Sequence, residues 1–135
     1  EDIQVAVRKA KEAHIPWADT TPVKRGEHLF AVAQNLKKHQ EDIARIVALE
    51  TGKSFKDAME ETSGAISLGM FMAGEGQRWY GKTTTSAVPN RHPIIVREPV
   101  GIAALIIAAN TPIANVACKV FPALICGPYS AAAYC

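Results

Sequence analysis

The residue best placed to do chemistry is Asn110. It ends the apolar run Gly101-Ile-Ala-Ala-Leu-Ile-Ile-Ala-Ala and is followed at once by Thr111-Pro112. This order predicts a buried strand, a sharp turn and a new helix, with a polar amide at the strand's carboxyl end. Ligands of open α/β sheets collect at that position. The free N–H groups at the start of the next helix would add a positive electrostatic end. Asparagine is also a common helix cap, and local pattern alone favours capping. Neither GxGxxG nor GxxxxGK[ST] occurs, so the phosphate-loop fingerprints are absent from the sequence.

The other reactive side chains are less promising. Cys118 and Cys126 fall within an apolar helical segment and read as buried, inert thiols. Cys135 is the last residue. His14, His28, His39 and His92 are scattered, with no acidic or thiol partner at ligand spacing, so no metal site is expected. Glu60 and Glu61 are adjacent. Neighbours on a helix point about 100° apart and cannot converge on one substrate. A solvated face is the reading, with one of the two tied to a basic partner.

The elements that must hold Asn110 follow from periodicity and punctuation. Ile3 to Ala13 has helical spacing, and Pro16 should stop it. Thr21-Pro22 is a helix start. The helix should run from Val23 to about His39, with Val23, Phe30, Ala33 and Leu36 inward. Gln40 to Glu50 continues with Ile43, Ile46, Val47 and Leu49, and Gly52 closes it. Ser54 caps a further helix ending near Trp79, with the stripe Phe55, Met59, Thr62, Ile66, Gly69/Met70 and Ala73. Gly64, Gly69, Gly74 and Gly76 in that segment imply close approach of another backbone, or an earlier end. Residues 81–98 then read as a hairpin-like stretch containing the β-rich run Pro93 to Arg97. A strand over Val100–Ile107 and a helix over Ile113–Cys126, with Pro122 inside, complete the order.

Composition bounds the function. Of 135 residues, 48% are hydrophobic and 21% charged, which are values of a folded domain. A net charge of +2 is too small to suggest a nucleic-acid partner. Val100 to Ala109 is about half the length a membrane-spanning helix needs. No signal-peptide pattern is visible in these residues, and three cysteines without CxxC suit reduced thiols, so a cytoplasmic location is expected.

Three separated runs now become informative together. They are Arg97-Glu-Pro-Val-Gly101, Ile106-Ile107-Ala108-Ala109-Asn110-Thr-Pro112, and Lys119-Val-Phe-Pro-Ala-Leu124 with Gly127. This set resembles the aldehyde dehydrogenase superfamily, which reads R-x-P-x-G-V, I-x-P-W-N-x-P and K-x-x-P-A-L-x-x-G-N. Trp17, Arg25, Leu29, Leu49-Glu50-Thr51-Gly52-Lys53, Ala58 and Glu61 fall in family order over about residues 5 to 127. Ala108-Ala109 replaces the family's Pro-Trp, and Ala133 stands where a cofactor-binding lysine is usual.

The resemblance implies an α/β fold in which a helical N-terminal portion, residues 1–80, leads through an extended oligomerisation-type stretch, 81–98, into the first strand and helix of a Rossmann-like parallel sheet, 99–135. It implies that Asn110 is the oxyanion donor and that the main chain of Ile106, Ile107, Ala108 and Ala109 lines an NAD or NADP site. Glu50 to Lys53 would be structural. The partners implied are a small aldehyde and further copies of the chain in a homo-oligomer. The second Rossmann strand, a Gly-rich turn, the general-base glutamate and the nucleophilic cysteine would all lie beyond residue 135. On that reading the 135 residues alone turn over no aldehyde. The alternative is a non-catalytic oligomerisation or interaction fragment of the same family.

Overall fold

The structure, a computed structural model, describes residues 2–127 and 129–134. Glu1, Pro128 and Cys135 lie outside the described residues. Four helices come first: α1 (Asp2–Asp19), α2 (Pro22–Lys38), α3 (Gln40–Thr51) and α4 (Phe55–Gly74). A 3₁₀ turn (Glu75–Arg78) ends the helical portion. The short antiparallel strands β1 (Lys82–Thr83) and β2 (Ile94–Ile95) follow. Then come β3 (Ile102–Ile107), α5 (Pro112–Ile125) and β4 (Tyr129–Tyr134). The architecture is α/β: a helical portion leads into the start of a Rossmann-like parallel sheet.

Local chemistry sets most boundaries. The Thr21 hydroxyl accepts from Lys24 N–H with Pro22 in the first turn of α2. Ser54 does the same for Asp57 N–H at α4. Gly52 closes α3 in the left-handed region, φ 73°. Lys37 and Lys38 occupy the last turn of α2, where cations complement the helix dipole.

Pro16 does not stop the first helix. The α1 helix continues through it to Asp19. One lost backbone bond is offset by anchoring beyond the proline: the Trp17 indole Nε1 donates to the Leu124 carbonyl at 3.0 Å. A second correction concerns the end of the chain. The expectation that the next strand lies further on is overturned, because residues 129–134 run parallel to β3, pairing Ile102 with Tyr129 and Ile107 with Tyr134. Ladder hydrogen bonds override the helix preference of three successive alanines.

Two apolar clusters hold the helices. One joins Leu29 and Ala33 of α2, Ala65 and Ala73 of α4, and Ala117, Phe121 and Ile125 of α5. The other joins Ala44 and Val47 of α3 to Ala58 of α4. Ile113, in the first turn of α5, packs against both. The inward faces are rotated from the expected stripes. Arg25, Gly26, Leu29 and Ala33 face inward on α2, while Val23 and Phe30 are exposed. On α3, Ala44 and Val47 are buried, and Ile46 and Leu49 are exposed.

Small residues matter because backbones nearly touch. A Cβ on Gly76 would overlap the Pro22 carbonyl oxygen, and one on Gly26 the Ala73 carbonyl oxygen. Gly69 gives its space to the Phe121 ring, whose Cζ would stand 2.6 Å from an added Cβ. Gly64 faces open space. We therefore expect Gly76→Ala to destabilise the chain by about 1–3 kcal/mol through forced backbone movement. Gly64→Ala should stabilise it by up to about 1 kcal/mol through helix propensity. Urea unfolding of the two variants checks this, and equal effects would contradict the close approach.

Candidate active site

Asn110 lies in the turn between β3 and α5, at the carboxyl end of the strand, as the strand–turn–helix order predicts. It is not the helix cap. Thr111 is the residue before the first turn, and no side chain from that position caps α5. Asn110 is exposed. Its Oδ1 accepts from Asn115 Nδ2 at 3.5 Å, and no acceptor among the described residues engages its own Nδ2. The amide therefore presents a donor to the space outside the sheet.

The turn is tied down through its carbonyls. Lys119 Nζ donates to Ile106 O. Asn115 Nδ2 donates to Ala108 O at 3.2 Å. Lys53 Nζ donates to Asn110 O at 3.1 Å. Three alternate carbonyls are thus held by three side chains, two of them from α5 itself. Ala108 and Ala109 are exposed and small, and Ile106 is 62% exposed. Ile107 is buried at 2%, so only its main chain can face a ligand. The strand is uncovered on one side, against the expectation of a buried one, because β4 is its sole partner among the described residues.

The first turn of α5 differs from expectation in a second way. Its N–H groups are not free for an anion. Glu61 Oε1 accepts from Ile113 N–H at 3.1 Å and from Ala114 N–H at 3.2 Å. Pro112 has no N–H, and Asn115 N–H bonds Thr111 O. A carboxylate from α4 thus fills the positive end of the helix. Glu61 Oε2 is ion-paired with Lys53, the two side chains being 7% and 19% exposed. Glu60 points outward, so the adjacent acids split as helix geometry requires. Lys53 therefore touches both the carboxylate and the Asn110 turn.

The other end of α5 receives the opposite charge. Arg25, 3% exposed, donates through Nε to Ile125 O at 3.1 Å and through Nη1 to Thr20 O at 2.7 Å. Burial lowers its pKa from the ordinary guanidinium value, against the pull of nearby Cys126. A guanidinium remains charged there. These long-range roles of Lys53, Glu61 and Arg25 escape periodicity. All three fall among the residues carrying the family resemblance, and the expected basic partner for one of Glu60 and Glu61 is Lys53, which pairs with Glu61.

The cysteines stand apart from this site. Cys126 is about 20 Å along α5 from its first turn at 1.5 Å per residue. Burial pushes its thiol up, and the charges of Arg97 and Arg25 only partly oppose this. Cys118 is exposed on the helix. Cys135 lies outside the described residues. Among the described residues, no group of three His, Cys, Asp or Glu side chains is placed to hold a metal. No described helix is long and apolar enough to cross a membrane.

The description "Aldehyde dehydrogenase family" fits residues 1–129 of this sequence. The chain belongs to the aldehyde dehydrogenase family. It is 38% identical over 127 residues to a non-phosphorylating aspartate-semialdehyde dehydrogenase of Halomonas elongata, covering 94% of this chain and 26% of that protein. It is 33% identical to an alpha-ketoglutaric semialdehyde dehydrogenase of Bacillus subtilis, with coverage of 94% and 26%. Among solved structures it resembles a betaine aldehyde dehydrogenase of Staphylococcus aureus in complex with NAD+, with TM-score 0.93 and 29% identity over 98% of this chain and 27% of that one. An NADP-dependent enzyme of Escherichia coli matches with TM-score 0.91 and 31% identity, again over 98% and 27%. The chain spans about a quarter of the length of these relatives.

The thiol environments make a direct prediction. Iodoacetamide at pH 8 should alkylate Cys118 at least about ten times faster than Cys126, since the thiolate is the reactive form. Peptide mass mapping reads the two rates, and equal rates would contradict the partial burial of Cys126. The sign of the pH effect follows. With a raised native pKa, Cys126 contributes stability below the ordinary thiol value. That contribution is lost as pH rises through the native value, because the unfolded chain ionises first.

Proposed function

We propose that this chain is the N-terminal segment of an enzyme that oxidises an aldehyde to a carboxylic acid with NAD or NADP. Asn110 is its oxyanion donor. The observation that carries this reading is the Asn110 amide, fixed at the end of β3 with its Nδ2 free to donate. A thiolate attacking an aldehyde turns the carbonyl oxygen into an oxyanion, and a preorganised N–H lowers that barrier by about 3–4 kcal/mol. Cys118 and Cys126 are poor candidates for the nucleophile, the first exposed on a helix and the second half-buried with a raised pKa. We assign the thiol that forms the thiohemiacetal, and the glutamate that activates water, to sequence outside residues 1–135.

The main chain of Ile106 to Ala109 is proposed as one wall of the dinucleotide site. The fit is favourable: Ala108 and Ala109 are small and exposed, so a flat ring can approach their backbone. A bound nicotinamide dinucleotide would supply the hydride acceptor. The chain's part is to align the carbonyl. Asn110 holds its oxygen, while Lys119 and Asn115 keep the wall rigid through the Ile106 and Ala108 carbonyls.

A second reading, a non-catalytic interaction fragment, draws on exposed apolar residues. Ile94, Ile95 and Val96 are 68%, 53% and 65% exposed, and Val100 is 92% exposed. Such surface invites pairing with other chains. It also suits a homo-oligomeric enzyme in which residues 81–98 form the contact.

The test is kinetic. The isolated chain should show no turnover with a panel of aldehydes and NAD or NADP. In the complete enzyme carrying this segment, Asn110→Ala should lower kcat by about 10²–10³-fold. Turnover by the chain alone, or an unchanged kcat in the variant, would overturn the reading. A response of Trp17 or Trp79 fluorescence to added NAD or NADP would count against a purely structural fragment.

A further inference from the structure

We propose that Lys53 and Glu61 are positioning residues for Asn110. This rests on the reading of Asn110 as the oxyanion donor. The two side chains come from different places, Lys53 from the loop before α4 and Glu61 from the second turn of α4. They meet at the turn that carries the amide. One carboxylate performs two tasks: Oε1 seats the first turn of α5 through two backbone N–H groups, and Oε2 holds the Lys53 ammonium. That ammonium also takes the Asn110 carbonyl. The turn is therefore fixed on both sides, at residue 110 by Lys53 and at residues 113 and 114 by Glu61.

Both side chains bond main-chain groups of the turn and not the Asn110 side-chain amide, so they position it rather than act on substrate. Each sets where Asn110 Nδ2 points. The pair is nearly neutral as a unit and mostly buried. Removing Lys53 leaves Glu61 on α5 but releases the Asn110 carbonyl. Removing the Glu61 charge frees Lys53 to swing away. Either change loosens the turn by a fraction of its hydrogen bonds. Displacement of a reacting group by about 1 Å can cost 10²-fold in rate, and a partly released turn should cost about 10-fold.

The experiment compares Lys53→Met, Lys53→Arg and Glu61→Gln, each alone and combined with Asn110→Ala, in the complete enzyme. Lys53→Met should lower kcat about 10-fold with KM for the aldehyde unchanged, and Lys53→Arg should restore most of it. On the Asn110→Ala background, Lys53→Met should cost nothing further, because it acts only through the amide. Glu61→Gln, which keeps an oxygen for the α5 N–H groups, guards against simple misfolding and should reproduce the loss. Additive losses, or stability falling with kcat unchanged, would overturn the proposal. Should Asn110→Ala itself leave kcat unchanged, the oxyanion reading fails separately. The positioning claim then stands or falls on ¹⁵N relaxation of the Asn110 side-chain amide in the present chain: faster motion in Lys53→Met supports it, and identical motion overturns it.

Discussion

Helix α5 is held by its charges as much as by its apolar face. A carboxylate sits at the end where backbone N–H groups are unpaired, and a guanidinium at the end where carbonyls are unpaired. Both match the direction of the helix dipole. Trp17 adds a further bond, to Leu124 O. The clamp is long-range: Glu61 lies 52 residues from Ile113, and Arg25 lies 100 residues from Ile125. Each hydrogen bond to a charged group contributes about 1.5–3 kcal/mol. A domain this size has only about 5–15 kcal/mol in total. The seat of α5, and with it the turn of Asn110, therefore ranks among the strongest single constraints in the chain.

Everything else in the site follows from where α5 sits. Its first turn brings Asn115 to Ala108 O, and its second brings Lys119 to Ile106 O. The chain from β3 is thereby pinned residue by residue as it leaves the strand. Phe121 lies over Gly69 and fixes the distance between α5 and α4. A larger residue at position 69 would push α5 away from Glu61, so packing and electrostatics specify the same spacing. The aldehyde dehydrogenase relatives share this portion as a quarter of their length. In this chain β3 has one strand neighbour among the described residues, and Ile106 and Val100 remain exposed.

Local signals were the legible part. Thr21, Ser54 and Gly52 fixed helix ends because capping is decided within a few residues. The strand–turn–helix around Asn110 was legible because an unbroken apolar run ending at Asn-Thr-Pro has few other solutions. Pro16 misled, because its penalty is local and the anchoring of Trp17 is not. The stripe on α2 misled for a related reason. Val23 and Phe30 carry the hydrophobicity, yet Gly26 and Arg25 face inward, since backbone proximity and the α5 carbonyls select that face. Strand β4 was missed because its alanines have no strand preference of their own. The charge clamp was invisible to any window along the sequence. A basic partner for one of Glu60 and Glu61 was legible and is met by Lys53 on Glu61, whereas the bonds from Glu61 to the α5 N–H groups, 52 residues away, were not.

The central claim is that Glu61 binds the first turn of α5. Amide hydrogen exchange at Ile113 and Ala114 tests it most directly. First-turn amides have no acceptor within their own helix and ordinarily exchange freely. Here both should be protected by about 100-fold or more, to a degree set by local opening. In Glu61→Ala that protection should vanish while the amides of α2 near Leu29 and Ala33 keep theirs. Free exchange at residues 113 and 114 in the unaltered chain would contradict the account.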